Sequence, residues 1–161
     1  MHTKHHRSPN ECYQGHISTA FTFCLEGRPL FFETTGIVGV FVESLTKVVQ
    51  QQDFCAVYCF MPDHMHLVLF GNTNEANSLR AVELFKQSTG YWLQRNYLRI
   101  KWQKGFMDRI LRESELGPVV RYTLDNPVRR GLVSQWREYP FTGAIGLDLE
   151  QLVADLATDE S

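Results

Sequence analysis

Two short motifs carry residue types suited to metal and nucleophile chemistry. The first is His64-Met65-His66. On a strand, residues i and i+2 share one face, about 7 Å apart along the chain. Two imidazoles on one face can converge on one cation, while Met65 points the other way, into the core. Taken alone, the pair is explained as simply by histidines that hydrogen-bond, because a metal site needs more than two ligands. The second motif is Tyr122 and Asn126. Four residues apart, they lie on one face of a helix, one turn from each other. A phenol and a carboxamide presented together could form a nucleophile and an oxygen ligand. Alone they are explained by a half-buried tyrosine and an asparagine that caps a helix.

Other candidate ligands are weaker. Cys12, Cys24, Cys55 and Cys59 include no Cys-x-x-Cys pair, so no zinc knuckle or redox motif is expected. Cys55 and Cys59 sit in an apolar run and read as buried free thiols. His2, His5 and His6 could bind metal but read as a flexible, tag-like stretch within residues 1–14. The stretch from Met1 to Asn10 is His- and Lys-rich with no apolar run behind it, so no secretory signal is expected. Free cysteines then fit a reducing cytoplasm.

These side chains need elements to hold them. Residues 15–24 alternate small, polar and apolar types and read as a strand. Across 33–52, Val38, Phe41, Val42, Leu45, Val48 and Val49 follow helical spacing. Residues 54–61 read as a buried strand, Pro62-Asp63 as a turn and 64–70 as a second strand, which together make a hairpin. Residues 78–97 read as a second helix, and 102–111 contain a fourth strand. A third helix starts with Ser114 as N-cap, takes Pro118 in its first turn and ends near Asn126, ahead of Pro127. Residues 136–141 read as a loop and 147–156 as a short helix. The order strand, helix, hairpin, helix, strand predicts an α+β, ferredoxin-like βαββαβ sandwich with an additional C-terminal helix. The expected division is a flexible 1–14, a domain over 15–146 and an acidic tail over 147–161.

The chain has 161 residues and a formal net charge of -2, which on its face argues against a polyanionic partner. The distribution says otherwise: residues 1–79 carry -3, 80–137 carry +7 and 138–161 carry -6. A basic middle segment points towards nucleic acid, and from charge alone a solvated helix face with a solubilising acidic tail explains it equally well. No apolar run approaches the length of a membrane span, so no membrane partner is expected.

Taken together, the motifs resemble a known family. Tyr58-Cys-Phe-Met-Pro-Asp-His-Met-His-Leu-Val-Leu69 resembles the histidine–hydrophobic–histidine (HUH) strand of single-tyrosine transposases. Trp102-Gln-Lys-Gly-Phe-Met-Asp-Arg-Ile-Leu111 is similar to the segment before their catalytic helix. Arg121-Tyr-Thr-Leu-Asp-Asn-Pro-Val-Arg-Arg-Gly-Leu-Val133 resembles that helix and its exit, and Trp136-Arg-Glu-Tyr-Pro140 the short C-terminal signature. Tyr, three residues, then Asn-Pro-Val is characteristic of the REP-associated tyrosine transposase branch. The resemblance spans about Gly15 to Gly146.

The resemblance implies cleavage and rejoining of single-stranded DNA at hairpin-associated (REP-like) sites. It implies His64, His66 and Asn126 as metal ligands, Tyr122 as nucleophile, and Mg²⁺ or Mn²⁺ as cofactor. Imidazole in the donor set suits Mn²⁺ at least as well as Mg²⁺, which prefers oxygen. A divalent cation draws charge from a phosphodiester and orients it. Attack by the tyrosine gives a link to the 5′ phosphate and a free 3′-OH, and that link conserves the bond for rejoining. No phosphate-binding glycine loop is present, in keeping with no nucleotide cofactor. The cations expected to grip the DNA backbone are Lys86, Arg95, Arg99, Lys101, Lys104, Arg109, Arg121, Arg129 and Arg130. Tyr91, Trp92, Tyr97 and Trp102 are interleaved with them; one or two of these could stack on unpaired bases, while core packing is the expected role of any single one.

Two other readings stand beside this one. One is a non-catalytic module that grips nucleic-acid hairpins. The other is a phosphodiesterase that uses water and leaves Tyr122 structural. The resemblance to REP-associated members, which carry both motifs in one chain, implies a monomer, with a dimer left open, and the expected location is the cytoplasm, at the nucleoid.

Overall fold

The computed structural model describes residues 10–159, so His2, His5 and His6 lie outside it. Asn10–Tyr13 forms a 3-10 turn whose Tyr13 is buried and donates its hydroxyl to Asp108. The part of the 1–14 segment that is described is therefore anchored, because one buried aromatic ring ties it down.

The strands are β1 (Ser18–Cys24), β2 (Phe54–Met61), β3 (His64–Gly71), β4 (Met107–Leu111) and β5 (Thr142–Ile145). The helices are α1 (Thr35–Gln51), α2 (Ser78–Asn96), α3 (Glu113–Arg129) and α4 (Leu149–Thr158). The sheet is antiparallel in the order β4-β1-β3-β2-β5. Its first four strands have the ferredoxin-like arrangement expected from the sequence. Alternation along β3 sends Met65, Leu67 and Leu69 into a core with α1 and α2, and Val68 and Phe70 into a second cluster with α3 and α4. His64 and His66 share the second face. Thr34 caps α1 by accepting from the Ile37 amide at 3.2 Å, and Asn77 caps α2 the same way through Arg80 at 2.9 Å.

Three features depart from the sequence reading. β5 falls just beyond the loop expected at 136–141, where Trp136–Glu138 forms a 3-10 turn. Its four residues, Thr-Gly-Ala-Ile, are too few and too small to announce a strand. Gly143 is required there, since a Cβ would run into the Tyr58 hydroxyl.

The second departure is α3. It starts at Glu113, with the Arg112 amide donating to the Glu115 carboxylate at 2.9 Å, so Ser114 lies inside the first turn rather than capping it. It also runs through Pro127 to Arg129. Proline only biases the residue before it, and here Asn126 and Pro127 are both buried against the sheet. The stop comes at Gly131, whose φ of 73° suits the left-handed position after a helix. The Leu132 amide donates to the Pro127 carbonyl at 2.9 Å and the Gly131 amide to Val128 at 3.0 Å, a Schellman closure.

The third is the acidic tail. Its described part is α4, with Leu156 buried beside Val120 and Leu124 of α3. Glu150 takes a forked ion pair from Arg137 at 2.7 and 2.8 Å. This segment is part of the folded body.

Candidate active site

The β2–β3 hairpin turns in two residues, Pro62 and Asp63, so Asp63 stands directly before His64. His64 Nδ1 donates to Asp63 Oδ1 at 2.6 Å, and Arg28 Nε donates to Asp63 Oδ2 at 2.9 Å. This fixes the His64 tautomer and leaves its Nε2 as an acceptor. His66 Nδ1 lies 3.1 Å from the Thr22 hydroxyl on the neighbouring strand. That hydroxyl can donate or accept, so it supports either His66 tautomer. The two Nε2 atoms face each other at 3.2 Å.

α3 brings the second motif to the pair. Asn126 is buried, with Nδ2 3.5 Å from His64 Nε2 and Oδ1 accepting from Arg129 Nη2 at 3.3 Å. Tyr122 lies one turn earlier, its ring centroid 6.5 Å from that of His66 and nearly perpendicular to it. The Arg129 guanidinium lies 3.7 Å over the Tyr122 ring and donates to the Tyr122 carbonyl at 2.9 Å. Extending α3 past Pro127 is what allows this clamp.

Burial pushes the His66 imidazole down to about 4, helped by His64, Arg129, Arg130 and Arg28. Burial also lowers His64, against the upward pull of Asp63. For Asp63, burial opposes ionisation, but its bonds to Arg28 and His64 hold the carboxyl below its usual value. Both imidazoles are therefore neutral at pH 7, the form in which they ligate metals.

The site suits a cation in one respect and limits it in another. Two nitrogens bound to one first-row ion at about 2.1 Å, roughly 100° apart, would sit about 3.2 Å from each other, and the Nε2 atoms have that spacing. Among the described residues, however, no cluster of three or more His, Cys, Asp or Glu could hold a metal. Asn126 is the side chain placed to add a third donor, and its oxygen now faces Arg129.

None of the protein-family models and none of the curated proteins matches the chain. Solved structures do. A REP-associated tyrosine transposase bound to a REP hairpin is 22% identical, with a TM-score of 0.72 over 88% of this chain and 82% of that one. The chain has the fold of that transposase. A candidate transposase from Deinococcus radiodurans is 14% identical, with a TM-score of 0.52 over 74% of this chain and 95% of that one.

The expected DNA-gripping cations fall into two groups. Some serve the protein itself. Lys86 Nζ donates to the Gln103 carbonyl at 2.8 Å and anchors the loop before β4. Arg95 donates to the Tyr91 hydroxyl at 2.9 Å, Lys101 pairs with Glu26 at 3.5 Å, and Arg109 pairs with Glu115. Arg121 is half-buried on α3. The others are exposed, and of these Arg129 and Arg130 lie near the histidines. Arg129 and Arg130 end α3, while Arg99 and Lys104 belong to a loop tied to β1 through the bond from the Gln103 amide to the Cys24 carbonyl at 2.9 Å. Cys24 is the β1 residue paired with His64.

Trp102 is no stacking surface. It is buried and donates to Thr89 at 2.9 Å. Asp63, Arg28 and Thr22 were missed from the sequence. The adjacency of Asp63 to His64 across a two-residue turn was a usable signal; Arg28 and Thr22 are distant in sequence and gave none.

Proposed function

We propose that the chain is a metal-dependent single-stranded DNA endonuclease and strand transferase acting at hairpin-associated sites. The observation that carries this reading is the pair of Nε2 atoms at 3.2 Å, with Asn126 and Tyr122 presented beside it from one helix. His64 and His66 would hold Mg²⁺ or Mn²⁺ through Nε2, and Asn126 through Oδ1. A divalent ion there supplies Lewis-acid and template chemistry to a phosphodiester.

The remaining work falls to this chain's residues. Arg129 keeps the Tyr122 ring flat beneath its guanidinium and so orients the phenol. Tyr122 Oη attacks phosphorus; the new bond is tyrosine O–P, the broken bond is P–O3′, and the 3′ oxygen leaves as a hydroxyl with the phenol's proton. Attack by another 3′-OH reverses these changes and returns the proton to Tyr122. Asp63 and Thr22 hold the two imidazoles in orientation. The solved neighbour bound to a REP hairpin supports a hairpin substrate for this chain as well.

The test uses hairpin oligonucleotides with randomised single-stranded flanks, incubated with protein and Mn²⁺. Wild type should form a covalent protein–DNA adduct, and Tyr122→Phe and His64→Ala should form none. Equal adduct from Tyr122→Phe would defeat the proposal. Hairpin binding with no cleavage would favour a binding module. Cleavage with no trapped adduct would favour a phosphodiesterase that uses water.

A further inference from the structure

We propose that the groove between α3 and the β1–β4 edge is a stacking subsite for one unpaired nucleobase of the bound strand. This rests on the reading above that the strand is single-stranded nucleic acid.

The groove encloses about 480 Å3, a size that accepts a nucleoside. Its floor is Ala20 and Thr22 of β1, and its inner end is His66. Val119 and Tyr122 of α3 form one wall, and Met107 of β4 stands on the other. The strand register places Met107 opposite Thr22, so wall and floor are neighbours.

Met107 is 69% exposed and Tyr122 is 60% exposed. A single large apolar side chain in solvent is ordinary. Here two of them line one groove over a floor of small, half-buried residues. Among the described residues nothing fills that space. A flat ring inserted over Ala20 would cover both, with the polarisable thioether on one side and the phenol ring on the other.

Charge and continuity select the occupant. Arg129, exposed at the end of α3, backs the Tyr122 ring. A base carried on an anionic backbone suits this better than a neutral apolar ligand. Because His66 and Tyr122 border both the groove and the histidine pair, a strand with a phosphate at the pair has its adjoining base within reach. Two of the groove's hydroxyls are engaged within the protein, Thr22 with His66 at 3.1 Å and Thr123 with the Val119 carbonyl at 2.9 Å. Met107 and the Tyr122 ring therefore hold a base mainly by its faces, and stacking of that kind is tolerant of sequence.

The test is photocrosslinking without metal. Hairpin oligonucleotides with randomised flanks carry one 5-iodouracil, moved through each flank position, and crosslinked peptides are mapped by mass spectrometry. One flank position should crosslink to the peptide bearing Tyr122 or Met107. Ala20→Leu, which fills the floor, and Met107→Ala, which removes a wall, should each cut that crosslink roughly tenfold, while crosslinks to the loop at 97–105 persist. Thermal melts confirm that both variants fold, and the exposed Met107→Ala stands as the decisive variant if Ala20→Leu does not. No groove crosslink at any position, or a yield unchanged by Met107→Ala, overturns the subsite. Adduct formation with Mn²⁺ is scored separately on the same oligonucleotides. Adduct without a groove crosslink defeats the subsite alone; a groove crosslink without adduct keeps the subsite and defeats strand cleavage.

Discussion

Asp63→Asn should weaken cation binding while leaving the fold almost intact. Asp63 touches no proposed metal-ligating atom. It holds the Nδ1 side of His64, at 2.6 Å, and is itself held by Arg28 at 2.9 Å. An asparagine can still accept from Nδ1 through its carbonyl oxygen, so the tautomer survives. What is lost is the charge on the acceptor. A hydrogen bond to a charged partner is worth about 1.5–3 kcal/mol and a neutral one about 1 kcal/mol. The difference, roughly 1–2 kcal/mol, is felt most when His64 gives electron density to a cation through Nε2. Affinity should fall about 5- to 30-fold, within the range usual for outer-shell partners of a metal-bound histidine.

Isothermal titration of the folded variant with Mn²⁺ measures this directly. Arg28→Gln is the companion variant. It keeps the Asp63–His64 bond but removes a cation near the pair, so its Mn²⁺ affinity should not fall. If Asp63→Asn binds Mn²⁺ as tightly as wild type does, or if Arg28→Gln weakens binding as much, the carboxylate is not acting through His64.

Arg129→Lys keeps the charge but loses the flat stack on Tyr122 and the fork that reaches Asn126. Gel-shift affinity for hairpin oligonucleotides should stay within about threefold, while the rate of adduct formation drops about tenfold, the cost of a mispositioned nucleophile. Acid should destabilise the metal-free protein through His66. Its folded value is about 4 against about 6.5 for an unperturbed imidazole. The unfolded chain therefore takes up the proton first: the contribution is complete above pH 6.5 and is lost as pH falls towards 4. Urea melts across that window should show a loss of about 1–3 kcal/mol that shrinks in His66→Gln.

The hairpin, α1 and α2 could be read from the sequence because each rests on local pattern. Heptad-like spacing from Val38 to Val49, a dense apolar run at 54–61 and a Pro-Asp turn are all short-range signals. The His pair was readable for the same reason, as strand alternation alone puts 64 and 66 on one face. What stayed hidden depends on partners remote in sequence. β5 exists because β2 offers an open edge and Gly143 leaves room for the Tyr58 side chain. α3 continues past Pro127 because packing of that helix end, Pro127 included, against the rest of the fold outweighs the local bias of proline. Thr22 meets His66 only through the β1–β3 register.

The charge distribution also takes on a sharper meaning in three dimensions. A +7 segment suggests a broad anionic partner, yet Lys86, Lys101 and Arg109 are engaged within the protein. The field at the pair comes from Arg28, Arg129 and Arg130, which add to burial in keeping the proton off His66. The same field opposes a lone dication about twice as strongly as it opposes a proton. It does not oppose a dication that arrives with a phosphate, because the anion's charge then faces the guanidinium groups. In the proposed reaction the histidines would supply nitrogen donors to the cation, and the arginines a counter-charge to the strand. That reading predicts that metal and single strand bind cooperatively, each raising the other's affinity in paired titrations, and equal Mn²⁺ affinity with and without the oligonucleotide would refute it.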